Sequence, residues 1–241
     1  MKAPAKLNLC LFVGAPRADG YHPLVSVFQS IDLADEVTFE SAERDEVICP
    51  GVEGPNLAEK ALAASRQAGW NGPPTRVTIE KRIPVAAGLG GGSADAAAVL
   101  RHTGRHELAP TLGADVPFQL RTGRALVTGI GERLQPLPPG PEQAFVILPS
   151  EHALSTAAVY QEADRLGTTR DLATADTSQR VNDLQEAARS LCPEIDDRIA
   201  ALGPAAMVAG SGPTVFAAFE DVDEARALAR RTPGAILAWP L

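Results

Sequence analysis

The stretch GLGGGSADAAAVL, Gly88 to Leu100, sets four glycines within five residues against a serine and a run of alanines. Alanine is the best helix former and glycine among the poorest, so a helix is predicted to begin near Ser93, with a side-chain-free loop against its first turn. A helix N-terminus carries unpaired N–H groups and about half a positive charge, and it attracts anions. Glycines just before it let the backbone approach phosphate oxygens with no Cβ in the way. Ser93 can cap the helix or turn its hydroxyl to a phosphate or a metal ion. The stretch therefore reads as a phosphate cradle. It is not a P-loop, because no Gly-Lys-Ser/Thr ends it. As a dinucleotide fingerprint, Gly88-x-Gly90-x-x-Ser93 has serine for the third glycine and would need Glu107 as the ribose acid. A glycine-rich turn with a helix cap and no ligand also stays open.

Outward from the loop, strands and helices alternate without a regular β-α period. KLNLCLFV (Lys6 to Val13) alternates, with Leu7, Leu9, Leu11 and Val13 on one face and Lys6, Asn8 and Cys10 on the other. It predicts a half-buried strand whose polar face carries a lysine and an asparagine. RADGYH (Arg17 to His22) is turn-like, and VTFE and RVTIE read as strands. Asn56 to Gly69 has the asparagine cap, helical spacing and terminal glycine of a complete helix. QPLPPGPEQ (Gln135 to Gln143), with four prolines and a glycine, is the predicted linker. Beyond it AFVIL is a strand, Ser155 to Leu166 a helix, and further helices are predicted within Val181–Leu191 and Pro193–Leu202. Strands flank GSGP (Gly210 to Pro213), then come a helix at Val222–Arg231 and a last strand, AILAW. This pattern predicts an α+β architecture in two domains, 1–139 and 140–241.

Composition narrows the function. With 241 residues, 45% apolar and 22% charged, the chain fits a globular protein of one large or two ordinary domains. A formal charge of −8 argues against a nucleic-acid surface, which needs a basic stripe. Cys10, Cys49 and Cys192 are far apart and form no C-x-x-C pair, which fits a reducing compartment and offers no zinc site. The N-terminus shows no signal-peptide pattern. The uncharged run from Ile199 to Phe219 is broken by Gly203-Pro204 and GSGP, so strand-loop-strand is the better reading than a membrane helix. A cytoplasmic protein with no membrane partner is expected.

PVAAGLGGGSADAA resembles the second motif of the galactokinase, homoserine kinase, mevalonate kinase and phosphomevalonate kinase (GHMP) superfamily. PAKLNLCL, RADGYHPLVSVFQSIDLADEV, LGADVPF, GIGERLQPL, NDLQ and GSGPTVFAAF stand in the order seen in its branch of 4-diphosphocytidyl-2-C-methyl-D-erythritol kinases. The likeness runs from Ala3 to about Phe219, and DGYH with LGADVPF is far more selective than the glycine loop. It implies a two-domain GHMP fold, with an N-terminal domain like ribosomal protein S5 and a ferredoxin-like C-terminal domain. It further implies transfer of the ATP γ-phosphoryl group, with Mg2+, to the 2-hydroxyl of a cytidine-diphosphate-linked methylerythritol. A monomer or weak homodimer is expected.

Residue by residue, Asp115 matches the family's catalytic aspartate and Lys6 its catalytic lysine. Singly, Lys6 could be a solvated strand-edge charge and Asp115 a helix N-cap. Pro84, Val85, Ala86, Ala87, Gly88, Leu89, Gly90, Gly91, Gly92, Ser93 and Ala94 match the nucleotide loop, and Asn56, Leu57 and Lys81 match positions near the adenine. For the acceptor, Tyr21 offers a face to stack on cytosine and His22 a group to hydrogen-bond its edge. Tyr160 matches a second aromatic that would close the sandwich, and Asn8 shares the Lys6 strand face. The magnesium ligands are left unassigned. One departure stands out: only a few residues, RHTGRHELAP (Arg101 to Pro110), separate the helix from LGADVPF, where the family has a longer helical stretch. His102 and His106 sit four apart there, but Gly104 weakens the helix and no third ligand is evident, so a surface pair is expected rather than a metal site. Rival readings are a homoserine or mevalonate kinase, which gives no reason for DGYH; a nucleotide-binding module without turnover; and a dinucleotide-dependent oxidoreductase.

Overall fold

The computed structural model describes residues 1–52, 54 and 56–241. In chain order the first part comprises β1 (Lys2–Val13), β2 (Leu24–Ser41), β3 (Glu46–Ile48), α1 (Leu57–Gln67) and β4 (Thr75–Glu80). It continues with α2 (Gly91–Thr103), two short helices α3 (Ala109–Leu112) and α4 (Val116–Arg121), β5 (Arg124–Thr128) and β6 (Arg133–Pro136). The second part holds β7 (Ala144–Leu148), α5 (Thr156–Leu166), α6 (Gln185–Leu191), α7 (Glu194–Leu202), β8 (Met207–Val208), β9 (Val215–Phe219), α8 (Val222–Arg231) and β10 (Ile236–Ala238).

The eighteen-residue β2 organises the first sheet. β1 runs antiparallel along one edge, while β4 and β5 share the other edge end to end; β3 and β6 extend the sheet beyond them. The second sheet has the order β10-β7-β9-β8 with antiparallel neighbours. With helices after its first and third strands, this is the split β-α-β arrangement of a ferredoxin-like unit. The segment 137–143 joins the two sheets, so the predicted linker loses Gln135 and Pro136 to β6. The halves nevertheless share a core: Leu7 and Phe12 of β1 pack in one cluster with Phe145 and Ile147 of β7 and Phe216 of β9.

β1 corrects the predicted half-buried strand. Every residue from Ala3 to Val13 is buried, on both faces. Register shifts between Pro4 and Lys6 and between Asn8 and Cys10 break the two-residue alternation. Leu7 and Leu9 therefore join the inter-sheet cluster, whereas Leu11 and Val13 join the core beneath α5 and α6.

The predicted helix at the glycine loop begins two residues early, at Gly91, with Gly90 as its left-handed N-cap (φ 72°). Ser93 therefore lies inside the first turn and makes no capping bond. The alanine run is a packing surface: Ala94, Ala96, Ala97 and Ala98 are fully buried in one cluster with Ala58, Ala61 and Leu62 of α1. α1 itself starts as predicted, with the Asn56 side chain accepting the Glu59 N–H at 2.9 Å. The compressed segment 101–110 is resolved economically. α2 runs to Thr103, stops at Gly104 (φ 70°), and a single 3-10 turn, His106–Leu108, hands the chain to α3. His102 stacks on Phe39, ring centroids 4.0 Å apart, so it is a packing residue. Among the described residues no cluster of three or more metal-ligating side chains occurs.

The helix predicted within Val181–Leu191 is shorter, beginning at Gln185. Ahead of it Leu11 donates to the Val181 carbonyl and Asp183 to that of Leu11, which holds this segment extended along β1. The uncharged run to Phe219 divides among α7, β8 and β9, and among the described residues no helix is long and apolar enough to cross a membrane.

Candidate active site

A cavity of about 1140 Å3 opens where the glycine loop, the middle of β1, the 20–22 turn, α5 and the 210–212 turn converge. That exceeds what one drug-sized ligand requires, roughly 300–1,000 Å3. The structure brings to it Lys6, Asn8, Tyr21, His22, Asn56, Leu57, Lys81, every loop residue from Pro84 to Ser93, Asp115 and Tyr160. Ala94 is the exception: its side chain is buried against α1, and its N–H is spent on the Gly90 carbonyl.

Lys6 stands at the centre. β1 carries it with 4% of its surface exposed, and its backbone N–H bonds the Leu89 carbonyl at 2.9 Å, which pins the glycine loop to the strand. Its ammonium donates to Asn8 Oδ1 at 2.6 Å, lies 3.5 Å from Asp115 Oδ2 and sits 4.7 Å from the centre of the Phe28 ring. Asn8 is fixed in turn by a bond from its Nδ2 to Ser26 Oγ at 3.0 Å. Asp115 precedes α4, yet its side chain makes no capping bond, so the helix-cap reading fails and the carboxylate is left to face Lys6 and the cavity. Phe28 is braced edge-on by Phe118 of α4, which couples the position of Asp115's helix to the floor under Lys6.

The glycines serve two ends. At Gly88 (φ +75°) a Cβ would lie 2.1 Å from the Ala209 carbonyl oxygen, so this glycine is where the loop meets the GSGP turn. At Gly90 (φ +72°) a Cβ would press on Lys6 Cγ at 3.1 Å. Ala86 also takes a positive φ, 54°, a conformation uncommon for a residue with a Cβ. Beyond Gly90 the N–H groups of Gly91, Gly92 and Ser93, at the start of α2, bond no described acceptor and remain free for an anion. The GSGP turn is itself held by Asn182, whose amide donates to Val208 and Gly210 carbonyls at 2.8 Å each.

Lys81 is not a free cation. Its ammonium bonds Asp35 Oδ2 at 2.5 Å and Asp95 Oδ2 at 2.9 Å. Burial alone would lower its pKa, but the two carboxylates outweigh that and hold it above the usual lysine value. Burial raises the Asp95 carboxyl to about 6 against the opposing pull of Lys81, and Asp95 Oδ1 has no partner. Asp35, fully buried, also accepts the N–H groups of Arg82 and Ile83, so this trio anchors the strand that leads into the loop.

Both acceptor-side tyrosines line the cavity, in unlike settings. Tyr21 is exposed on the cavity rim (59%), whereas Tyr160 packs on His22, ring centroids 5.0 Å apart. Burial, and then the charge of Asp115, push the Tyr160 phenol up to about 12, so it stays a neutral donor. Residues that sequence reasoning missed are Ser26, Phe28, Asp35, Asp95 and Asp164. Ser26, Phe28, Asp35 and Asp95 lie inside quoted motifs but carried no role there, and Asp164 lies in none; their places become visible through the strand register and the packing of α5.

Comparison with known proteins decides the family. The GHMP kinases N terminal domain model matches residues 56–120 and the GHMP kinases C terminal model residues 158–233. A 4-diphosphocytidyl-2-C-methyl-D-erythritol kinase of Streptomyces avermitilis is 38% identical, over 95% of this chain and 91% of that protein. The corresponding protein of Paracoccus denitrificans is 39% identical over 98% and 93%. The chain belongs to the 4-diphosphocytidyl-2-C-methyl-D-erythritol kinase family of GHMP kinases. A crystal structure of a 4-(cytidine 5'-diphospho)-2C-methyl-D-erythritol kinase superposes with a TM-score of 0.83 at 35% identity, covering 100% of this chain and 98% of that one. The Methanococcus jannaschii mevalonate kinase shares the fold alone, with a TM-score of 0.61 at 13% identity over 100% and 98% of the two chains. The alignment with the Streptomyces protein spans 269 residues, more than the 241 of this chain, so the relative carries insertions that this chain lacks. The loop and α2 lie between β4 and β5, which both run antiparallel to β2 instead of pairing side by side, so the parallel β-α-β unit that the oxidoreductase reading needs around the loop is missing.

Proposed function

We propose that this protein transfers the γ-phosphoryl group of ATP to the 2-hydroxyl of 4-(cytidine 5'-diphospho)-2-C-methyl-D-erythritol, a step in the methylerythritol phosphate route to isoprenoid precursors. The observation that carries the reading is the Lys6–Asp115 pair, 3.5 Å apart, between the glycine loop and the aromatic wall of a cavity roomy enough for two nucleotides. In the reaction the acceptor oxygen bonds to the γ-phosphorus, the bond from phosphorus to the β,γ-bridging oxygen breaks, and ADP leaves. Asp115 orients the hydroxyl and takes its proton. The acceptor is a tertiary alcohol, and a loose transition state asks for position and charge stabilisation more than for a strong base. Lys6 supplies that charge between donor and acceptor oxygens, while Asn8 fixes the direction of its ammonium.

Residues 84–93 and the first N–H groups of α2 hold the phosphates in this reading; Ala94 supports them only through packing. Asn56 and Leu57 line the adenine side. Lys81 acts there chiefly by holding Asp35 and Asp95, which engage two of its three hydrogens. Mg2+ accompanies ATP and neutralises charge on its phosphates. The Ser93 hydroxyl, free of any capping bond, would hold it together with the phosphates, which fits an ion usually bound by few protein groups. The division at 139/140 assigns the nucleotide loop and both catalytic residues to the first domain and Tyr160 to the second. The test is coupled ADP release with a panel of alcohols. Turnover is expected with the cytidylyl-methylerythritol compound and not with homoserine, mevalonate or galactose; turnover confined to any of the latter overturns the assignment.

A further inference from the structure

We infer that Asp164 is a positioning residue for the acceptor: through His22 it ties the turn that carries Tyr21 to the helix that carries Tyr160. The inference rests on the proposed acceptor being bound between these elements. His22 is fastened at both ring nitrogens. Nδ1 lies 2.9 Å from the Gly14 carbonyl oxygen, at the end of β1, and Nε2 lies 3.3 Å from Asp164 Oδ2. Nδ1 faces a carbonyl and so must donate to it, while Nε2 has the Asp164 carboxylate as its nearest polar neighbour. A base edge read by His22 with nearby backbone, as expected from sequence, would then meet that backbone while the ring holds the turn in place.

The rest of the ring's surroundings fit such a role. The ring packs at a tilt on Tyr160, four residues before Asp164 on α5, so one stripe of that helix meets His22 with an aromatic ring and a carboxylate. Surface ion pairs are worth little as a rule, because both side chains are solvated and loose. This pair is asymmetric: the His22 side chain is 6% exposed and Asp164 39%, so the carboxylate meets a ring that packing has already fixed. Both residues line the cavity. The next residue N-terminal to His22 is Tyr21, so a change in the ring's seat moves the rim aromatic relative to α5. No other side chain bonds the Asp164 carboxylate among the described residues.

The test is steady-state kinetics on Asp164→Ala, Asp164→Asn and His22→Ala in the full-length protein. Asp164→Ala should raise KM for the cytidylyl acceptor about 3- to 10-fold, the range of one lost hydrogen bond, with KM for ATP and kcat within about twofold. Asp164→Asn should restore the acceptor KM, because a carboxamide can still partner Nε2. In the His22→Ala background, Asp164→Ala should have no further effect. An unchanged acceptor KM in Asp164→Ala, an equal rise for ATP, or full additivity with His22→Ala would each overturn the inference. If the parent protein does not turn over the cytidylyl compound, it is the functional reading that falls. The clamp is then judged by 15N NMR of the His22 ring, whose shifts should move in Asp164→Ala; identical spectra would refute it.

Discussion

Gly88→Ala asks how much of the site depends on one missing side chain. The added Cβ would lie 2.1 Å from the Ala209 carbonyl oxygen and 3.1 Å from the Gly212 nitrogen, all backbone atoms. Neither side can yield easily. The opposing turn is held by Ala209 N–H to Thr214 O at 2.9 Å, Gly212 N–H to Ala209 O at 2.8 Å, and the Asn182 amide. The loop is held by the Lys6 N–H to Leu89 O. A left-handed φ costs a residue with a Cβ about 1–2 kcal/mol, and overpacking a rigid contact adds about 1–3 kcal/mol. The sum, about 2–5 kcal/mol, corresponds to a Tm lowered by about 4–20 °C for a chain of this size. Separating loop and turn also displaces the backbone next to Lys6, and a misplacement of about 1 Å typically costs about 100-fold in rate.

Gly92→Ala is the matched control. Its Cβ would meet only Leu57 Cδ1, at 3.8 Å, and its φ lies outside the left-handed region. Inside a helix, alanine in place of glycine gains about 0.5–1 kcal/mol, so its Tm should hold or rise. A methyl at the mouth of α2 should nonetheless weaken ATP binding if phosphates sit there. Calorimetry of ATP binding and thermal melts on both variants separate the two roles. A Gly88→Ala protein with parental Tm and parental turnover would refute the contact; parental ATP affinity in Gly92→Ala would remove the phosphates from the helix end.

Further outcomes are expected elsewhere in the site. Lys6→Ala should lower kcat about 10²- to 10³-fold, the scale of one lost preorganised charge-stabilising group, and Asp115→Asn should lower kcat steeply while the ATP Kd holds; near-parental turnover in either variant removes that residue from the mechanism. Tyr21→Ala should weaken the cytidylyl acceptor by about 1–3 kcal/mol, the worth of one base–aromatic stack, and leave ATP untouched; equal weakening of both ligands would refute the stack. The Asp95 carboxyl, raised by burial to about 6 from an unfolded value of 3.8, binds more protons folded than unfolded in that interval. Its contribution to stability is therefore full below about pH 4 and lost as pH rises through about 6. Melts of parent and Asp95→Asn across that window should differ in slope, and parallel curves would count against the buried acid.

Much of this was legible in the sequence because the chemistry sits in local patterns. Asn56 capping α1, Ser155 capping α5 and the glycine-to-alanine change at α2 are decided by neighbours a few residues apart. What escaped depends on partners far along the chain. The alternation of β1 suggested one polar face, but a bulge at Leu9 and a second layer of strands bury both. Ser93 looked like a cap because serine favours that position, yet the left-handed Gly90 ends the loop first. The contacts of the His22 ring were hidden for the same reason, since Gly14 and Asp164, the latter 142 residues away, meet it only in the fold.

The two lysines of the site show why position, and not residue type, selects the reacting centre. Lys81 lies between two aspartates, so the trio carries a net negative charge and offers an incoming phosphate nothing. Lys6 is more deeply buried, but its neighbours are a neutral amide, an aromatic ring and a single carboxylate at 3.5 Å that is itself 30% exposed. The Lys6–Asp115 pair is neutral overall, and its looser contact leaves the ammonium able to lean toward a new anion. A phosphoryl group arriving from the free N–H groups of α2 would find a loosely paired positive charge there, with the proton acceptor beside the same ammonium. Neutralising Lys81 by substitution should therefore cost stability and loop placement more than the chemical step, whereas neutralising Lys6 should do the reverse. Paired measurements of Tm and single-turnover rate on Lys81→Met and Lys6→Met test this division, and a larger rate loss in Lys81→Met would overturn it.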